Sequence, residues 1–169
     1  MGAVIFVVAQ NGFRDEELNV PKKVLENEGH KCTVSSITTD KATGKLGMII
    51  KPDVAVKDVF IDNYDALVIV GGPGCPSLME YPEVLKLIQD ASNKDKIVSS
   101  ICLAGMILAR AGVTQGKKAT VFKTSDSLSE YSKTNTIFVD QPVVVDDTLV
   151  TANGPQAAED FGKVIAKLL

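Results

Sequence analysis

Ala3 to Ala9 is an unbroken apolar run rich in β-branched residues, the pattern of a strand buried on both faces, as in a parallel sheet. An Asn11-Gly12 turn follows. Asp15 to Gly29 then predicts a helix: Leu18, Val24 and Leu25 are apolar positions, acids fill the first turn and Gly29 closes it. Pro21 within it is expected to introduce a kink. Lys31 to Ile37 reads as a second strand, and Lys45 to Val56, broken by Gly47 and Pro52, as short strands joined by turns. Asp65 to Val70 is another buried strand, ended by Gly71-Gly72-Pro73-Gly74. Tyr81 to Ser92 is amphipathic, Lys96 to Ile101 is a strand that stops at Cys102, and Leu103 to Ala111 is a helix ended by Gly112. Ala119 to Phe122, Pro142 to Val145 and Thr148 to Thr151 complete the strands, and Gln156 to Leu169 forms a last helix. Its stripe of Val164, Ile165, Leu168 and Leu169 is expected in the core or in a dimer contact.

Strands alternating with helices of this kind predict an α/β fold, a doubly wound and mostly parallel sheet with helices on both faces. The chain has 169 residues and neither a repeat nor a linker, so residues 1–169 are expected to form a single domain of ordinary size. Its 45% hydrophobic and 23% charged residues exclude a disordered or coiled-coil chain. Eighteen basic against 21 acidic residues leave a net charge of −3, so no electrostatic footprint for nucleic acid or an anionic membrane exists. The apolar start lacks a basic flank and runs directly into Gln10-Asn11-Gly12, as a strand would and a secretion signal would not. No apolar run is long enough for a membrane span. A cytoplasmic location follows as the default, and the three cysteines are expected to be free thiols.

Those cysteines, Cys32, Cys75 and Cys102, show no paired spacing, and His30 is the only histidine. That set cannot complete a zinc site, and no metal or other cofactor is expected.

In open α/β sheets ligands sit beyond the carboxyl ends of the strands, which directs attention to three places. Cys102 lies at an abrupt strand-to-helix junction, Ser99-Ser100-Ile101-Cys102-Leu103-Ala104-Gly105. This is the setting of a nucleophile elbow, with a thiol held above the sheet edge under the positive end of a helix that favours the thiolate. The competing reading is a buried small hydrophobe at a strand end. Asp15, Glu16 and Glu17 open the first helix; solvated acids complementing the helix dipole account for Asp15 and Glu16. Glu17 could instead lie over the sheet as a desolvated, protonated carboxyl donating to the cysteine sulfur. Gly71 and Gly72 form a turn whose backbone N–H groups can approach an oxyanion closely. Cys75 follows on a loop at the same edge, read as a plain loop cysteine or as a resolving thiol, and Cys32 falls in a buried strand.

Phe13-Arg14-Asp15-Glu16-Glu17-Leu18, Tyr64 to Gly72, Ser100-Ile101-Cys102 and Leu149 to Pro155 occur in this order over essentially the whole chain. Together they resemble the signature segments of the DJ-1/PfpI superfamily. The resemblance implies a flavodoxin-like, glutamine-amidotransferase-like fold. Cys102 would correspond to the reactive cysteine, Glu17 to the glutamate hydrogen-bonded to it, and the N–H groups of Gly72 and Leu103 to the oxyanion donors. A homodimer is implied too. Two departures stand out: members with a histidine directly after the cysteine find Leu103 here, and those with one on a nearby strand find Phe122. His30, at the amino end of its strand, is expected far from the site. Amide hydrolysis needs a proton for a poor leaving group, so a peptidase is disfavoured. Cofactor-independent glyoxalase or deglycase chemistry on small reactive aldehydes or their glycated adducts is the leading expectation. A redox sensor working through oxidation of Cys102 is the alternative.

Overall fold

The apolar run at the start of the chain becomes the middle of a seven-stranded sheet. In the computed structural model, which describes residues 1–169, β1 (Ala3–Val7), β2 (Asn11–Phe13), α1 (Asp15–Asn27), β3 (Lys31–Ser36), β4 (Ala42–Gly44), β5 (Ile49–Ile50) and β6 (Val54–Ala55) make up the first third. β7 (Ala66–Ile69), α2 (Pro82–Asn93), β8 (Ile97–Ile101), α3 (Gly105–Arg110), β9 (Lys118–Ala119), α4 (Ser125–Lys133) and β10 (Ile137–Phe138) follow. β11 (Val143–Asp146), β12 (Leu149–Ala152) and α5 (Ala158–Leu168) complete the chain. The main sheet has the order β11-β12-β8-β7-β1-β3-β6. Every neighbouring pair is parallel except the β11–β12 hairpin. The chain builds outward from β1 through β3 to β6, then returns to β7 on the other side of β1. This reversal at β1 and β7 is the topological switch point, where the carboxyl ends leave a crevice.

Side-chain alternation along β1 divides the core. Val4, Phe6 and Val8 face a cluster containing Leu18 and Leu25 of α1 and Phe161 and Ile165 of α5. Ile5, Val7 and Ala9 face another, containing Val84 and Ile88 of α2 and Ile107 and Leu108 of α3. Helices therefore cover both faces, and the strands read as continuous apolar runs because neither face meets water. Of the α5 stripe, Ile165 is buried while Leu168 is exposed. No helix is long and apolar enough to cross a membrane.

Several local expectations change. α1 stops at Asn27 and runs as one helix through the buried Pro21. Of the expected strand at Ala119–Phe122 only Ala119 forms a ladder, joined by Lys118 in β9 and paired with β10 outside the main sheet. The next residues bond elsewhere: Thr120 N–H donates to the Thr151 hydroxyl at 2.8 Å and Phe122 N–H to the Cys102 carbonyl at 3.1 Å. α4 is an unforeseen helix, started by a reciprocal cap in which the Thr124 and Ser127 side chains each accept the other's N–H, at 3.0 and 2.9 Å. The short strands expected over Lys45–Val56 are β5 and β6; β6 edges the main sheet, whereas β5 joins β2 and β4 in a small separate sheet whose strands are only two or three residues long.

Candidate active site

Ile101 ends β8 in extended backbone, and Cys102 then turns into the left-handed region with φ 60°. A non-glycine residue there is uncommon and costs about 1–3 kcal/mol unless its surroundings enforce it. The chain next makes a 3-10 turn, Cys102–Ala104, and enters α3. The strained cysteine at a strand-to-helix turn is the elbow that the sequence suggests. Beside it, β7 ends at the Gly71-Gly72 turn. A Cβ on Gly71 would collide with the Glu17 carboxylate and lie 2.7 Å from the Cys102 Cβ. Gly72, at φ 114°, has the Arg14 N and Gly12 O where a side chain would go. Both positions need glycine so that three chain segments can meet around one sulfur.

Glu17 reaches this point from the first turn of α1 and is fully buried. Neither of its oxygens makes a hydrogen bond of good geometry. Burial pushes the carboxyl up to about 7, although the nearby Cys102, Arg14 and Gly71 N–H act in the opposite direction. Cys102 is 8% exposed. Burial and then the charge of Glu17 push its thiol up to about 12, against hydrogen bonds from the Leu103 and Gly72 N–H groups that favour the thiolate. The expectation that the helix end would favour the thiolate is therefore reversed. α3 has only six residues, and desolvation beside an ionised carboxyl outweighs its pull. Two of the influences that hold the proton on sulfur require an ionised Glu17. A proton on Glu17 removes both, so sulfur and carboxyl share their ionisation.

A cleft of about 300 Å³ opens over the pair, lined also by Arg14, Lys45, Phe122, Pro155 and Gln156. Phe122 forms part of its apolar wall. His30 lies at the other end of the sheet, its Nδ1 accepting the Gly2 N–H at 3.0 Å. A second cleft of about 380 Å³ shares Leu103 with the first but is lined by Met79, Met106 and Glu130, with no cysteine or histidine. No group of three or more His, Cys, Asp or Glu side chains converges to hold a metal ion.

The structure brings Cys102, Glu17, Gly71, Gly72 and Leu103 together and places other candidates elsewhere. Asp15 is not a solvated dipole partner: it is buried and accepts the N–H groups of Leu46 and Met48 at 3.1 and 2.9 Å. Glu16 pairs with Arg14 at 2.6 Å. Cys75 is not on an open loop. It is fully buried in a 3-10 turn and packs in the cluster on the opposite face from Cys102, with burial pushing its thiol well up. Cys32 is half-buried, its thiol pushed up to about 11 chiefly by burial. Lys45 and Gln156 escaped the sequence reading because neither sits at the end of a core strand.

An elbow cysteine paired with a buried carboxyl at the carboxyl edge of a flavodoxin-like sheet defines a class of thiol-bearing α/β proteins. Within that class the chain belongs to the DJ-1/PfpI family, whose model matches residues 3–168. It is 41% identical to an uncharacterized protein of Methanocaldococcus jannaschii, over 98% of this chain and 82% of that one. It is 32% identical to a deglycase of Thermococcus kodakarensis over 98% of both. It is 28% identical to a glutathione-independent glyoxalase of Caenorhabditis elegans, over 90% of this chain and 81% of that one. The crystal structure of a ThiJ/PfpI domain protein from Brachyspira murdochii superposes with a TM-score of 0.94 at 31% identity, covering 98% of this chain and 95% of that one.

Proposed function

We propose that this protein is a cofactor-independent glyoxalase or deglycase acting on small reactive aldehydes and their adducts, with Cys102 as nucleophile and Glu17 as proton carrier. One observation carries the reading: a fully buried carboxyl pushed up to about 7 stands beside a strained cysteine whose thiolate form the Gly72 and Leu103 N–H groups favour. Relatives named deglycase and glyoxalase support it.

For a 2-oxoaldehyde the steps follow from the pair. With the proton on Glu17, the Cys102 thiolate adds to the aldehyde carbon, forming an S–C bond, and Glu17 protonates the oxygen to give a hemithioacetal. The N–H groups of Gly72 and Leu103, directed at sulfur before attack, meet the charge as it moves to that oxygen. The Glu17 carboxylate then takes the hydrogen on the aldehyde carbon as a proton and returns it to the adjacent carbon, while the hydroxyl proton passes between the two oxygens. The aldehyde carbon is oxidised, its neighbour is reduced, and a thioester results. Water cleaves the S–C bond, releasing the 2-hydroxy acid and the thiol. No external oxidant, reductant or base is required. Amide cleavage lacks an equivalent route, because no imidazole lines the cleft to protonate an amine leaving group. In this reading the active unit is a homodimer, as the family resemblance implies, of single-domain chains working in the cytoplasm.

Wild type and Cys102→Ala are incubated with methylglyoxal, with lactate as the readout, and separately with peroxide, followed by intact mass. Lactate from wild type alone is the expected result. Absence of lactate, with a selective gain of two oxygens on Cys102, would replace the enzyme by a redox sensor.

A further inference from the structure

We infer that the mouth of the Cys102 cleft selects reactants carrying an anionic group, through Lys45 and Arg14. This deepens the proposed aldehyde chemistry and, for its turnover arm, rests on it. The observations concern charge and placement. Arg14 and Lys45 are the only cations lining the cleft, and Glu17 is the only acid. Lys45 forms no ion pair. Arg14 engages Glu16 through Nε and Nη2, at 2.6 and 3.4 Å, and leaves Nη1 without a partner.

Neither cation is loosely attached at its backbone. The Arg14 N–H donates to the Gly71 carbonyl at 2.9 Å, fixing it to the turn that contributes a donor to the sulfur. The Lys45 N–H donates to the Phe13 carbonyl at 2.8 Å. The buried Asp15 carboxylate holds Leu46 and Met48, so the segment bearing Lys45 is fastened to the helix that bears Glu17. A chain with a net charge of −3 thus presents a locally cationic entrance to its thiol. Carboxylate and phosphate share the chemistry that such an entrance recognises.

The first test needs no turnover. Cys102 is alkylated with iodoacetate, an anion, and with iodoacetamide, its neutral counterpart, each rate being read by peptide mass and normalised to N-acetylcysteine. At low salt the iodoacetate-to-iodoacetamide ratio is expected to exceed the free thiol's by up to about fivefold, as the exposed, unpaired Lys45 beside the half-buried Arg14 would produce. It should fall by about twofold to threefold in Lys45→Gln, fall further in Lys45→Glu, and shrink in 0.5 M salt, a concentration chosen for strong screening. A ratio equal to that of N-acetylcysteine, or one unchanged by both substitutions, overturns the inference.

The second test compares kcat/KM for 4,5-dioxopentanoate with that for 2-oxopentanal, which has the same chain length without the carboxylate, and adds 3-phosphooxy-2-oxopropanal. The carboxylate compound should be favoured by about fivefold, with the excess lost in Lys45→Glu; a still larger preference for the third compound assigns the anion as phosphate. Equal values for all three overturn the selectivity. If none is turned over while the alkylation bias stands, the catalytic reading fails and the anion-selecting entrance survives.

Discussion

Replacing Glu17 by glutamine tests the physical basis of the site without relying on any substrate. Burial holds the carboxyl at about 7 against its ordinary 4.5. At about 1.36 kcal/mol for each pH unit between those values, the folded protein prefers the neutral carboxyl by roughly 3 kcal/mol. Below pH 4.5 both folded and unfolded chains hold this proton and the preference has no consequence. Between 4.5 and 7 the unfolded chain has released it while the folded chain retains it, so the native state loses stability as pH rises. Above 7 the whole penalty is present. Cys102, pushed up to about 12, keeps its proton in both states across this window. Glu17→Gln removes the penalty and is isosteric. The variant should therefore gain stability relative to wild type by roughly 3 kcal/mol between pH 4 and pH 8, equivalent to roughly 6–12 °C in melting temperature for a chain of this size. Urea melts of both proteins at half-unit pH intervals measure the difference directly, because the other carboxyls cancel. A difference independent of pH would show that Glu17 ionises as an ordinary surface acid and would remove the proton carrier from the proposed reaction.

Two substitutions test the surrounding frame. Gly71→Ala drives a methyl into the Glu17 carboxylate and within 2.5 Å of the Ile101 carbonyl; it should destabilise by roughly 1–3 kcal/mol in urea melts and suppress lactate formation. Asp15→Ala leaves the Leu46 and Met48 N–H groups without their acceptor. A loss of roughly 1–3 kcal/mol is expected, together with a lower iodoacetate bias at Cys102, because the segment bearing Lys45 then keeps only its bond to the Phe13 carbonyl; retention of the full bias would show that Asp15 does not position it.

What the sequence reveals divides along a physical line. β1, β7 and β8 are legible because strands buried on both faces have no polar alternation, and Cys102 is legible because β8 stops abruptly at it. The β2-β4-β5 sheet is not, since its strands are only two or three residues long, too short for an alternation to register, and the turn between β4 and β5 is tied by the distant Asp15 carboxylate. α4 carries few apolar residues, and one of them, Leu128, is exposed, so no stripe announces the helix. The sign of the thiol shift is hidden in the sequence for a related reason. A helix N-terminus is local and visible in sequence, whereas desolvation comes from elements distant along the chain. Asp15, Glu16 and Glu17 are indistinguishable as letters, yet one anchors a hairpin, one pairs with Arg14 and one is sealed beside a sulfur.

That sealing also explains how the proposed reaction can dispense with histidine. Moving a proton between adjacent carbons asks one group to act in turn as base and as acid, and a group serves both roles best when its pKa lies near the working pH. A carboxyl at its ordinary value is a weak base and is almost never protonated at neutrality. At about 7 it is divided between the two states. The same burial couples its charge to sulfur, so protonating Glu17 makes the thiolate accessible and adding sulfur to an aldehyde releases Glu17 to act as base. An imidazole would supply a suitable pKa as well. Here a single desolvated proton serves both groups, so any change that wets the Gly71–Glu17 contact should abolish nucleophile and proton carrier together.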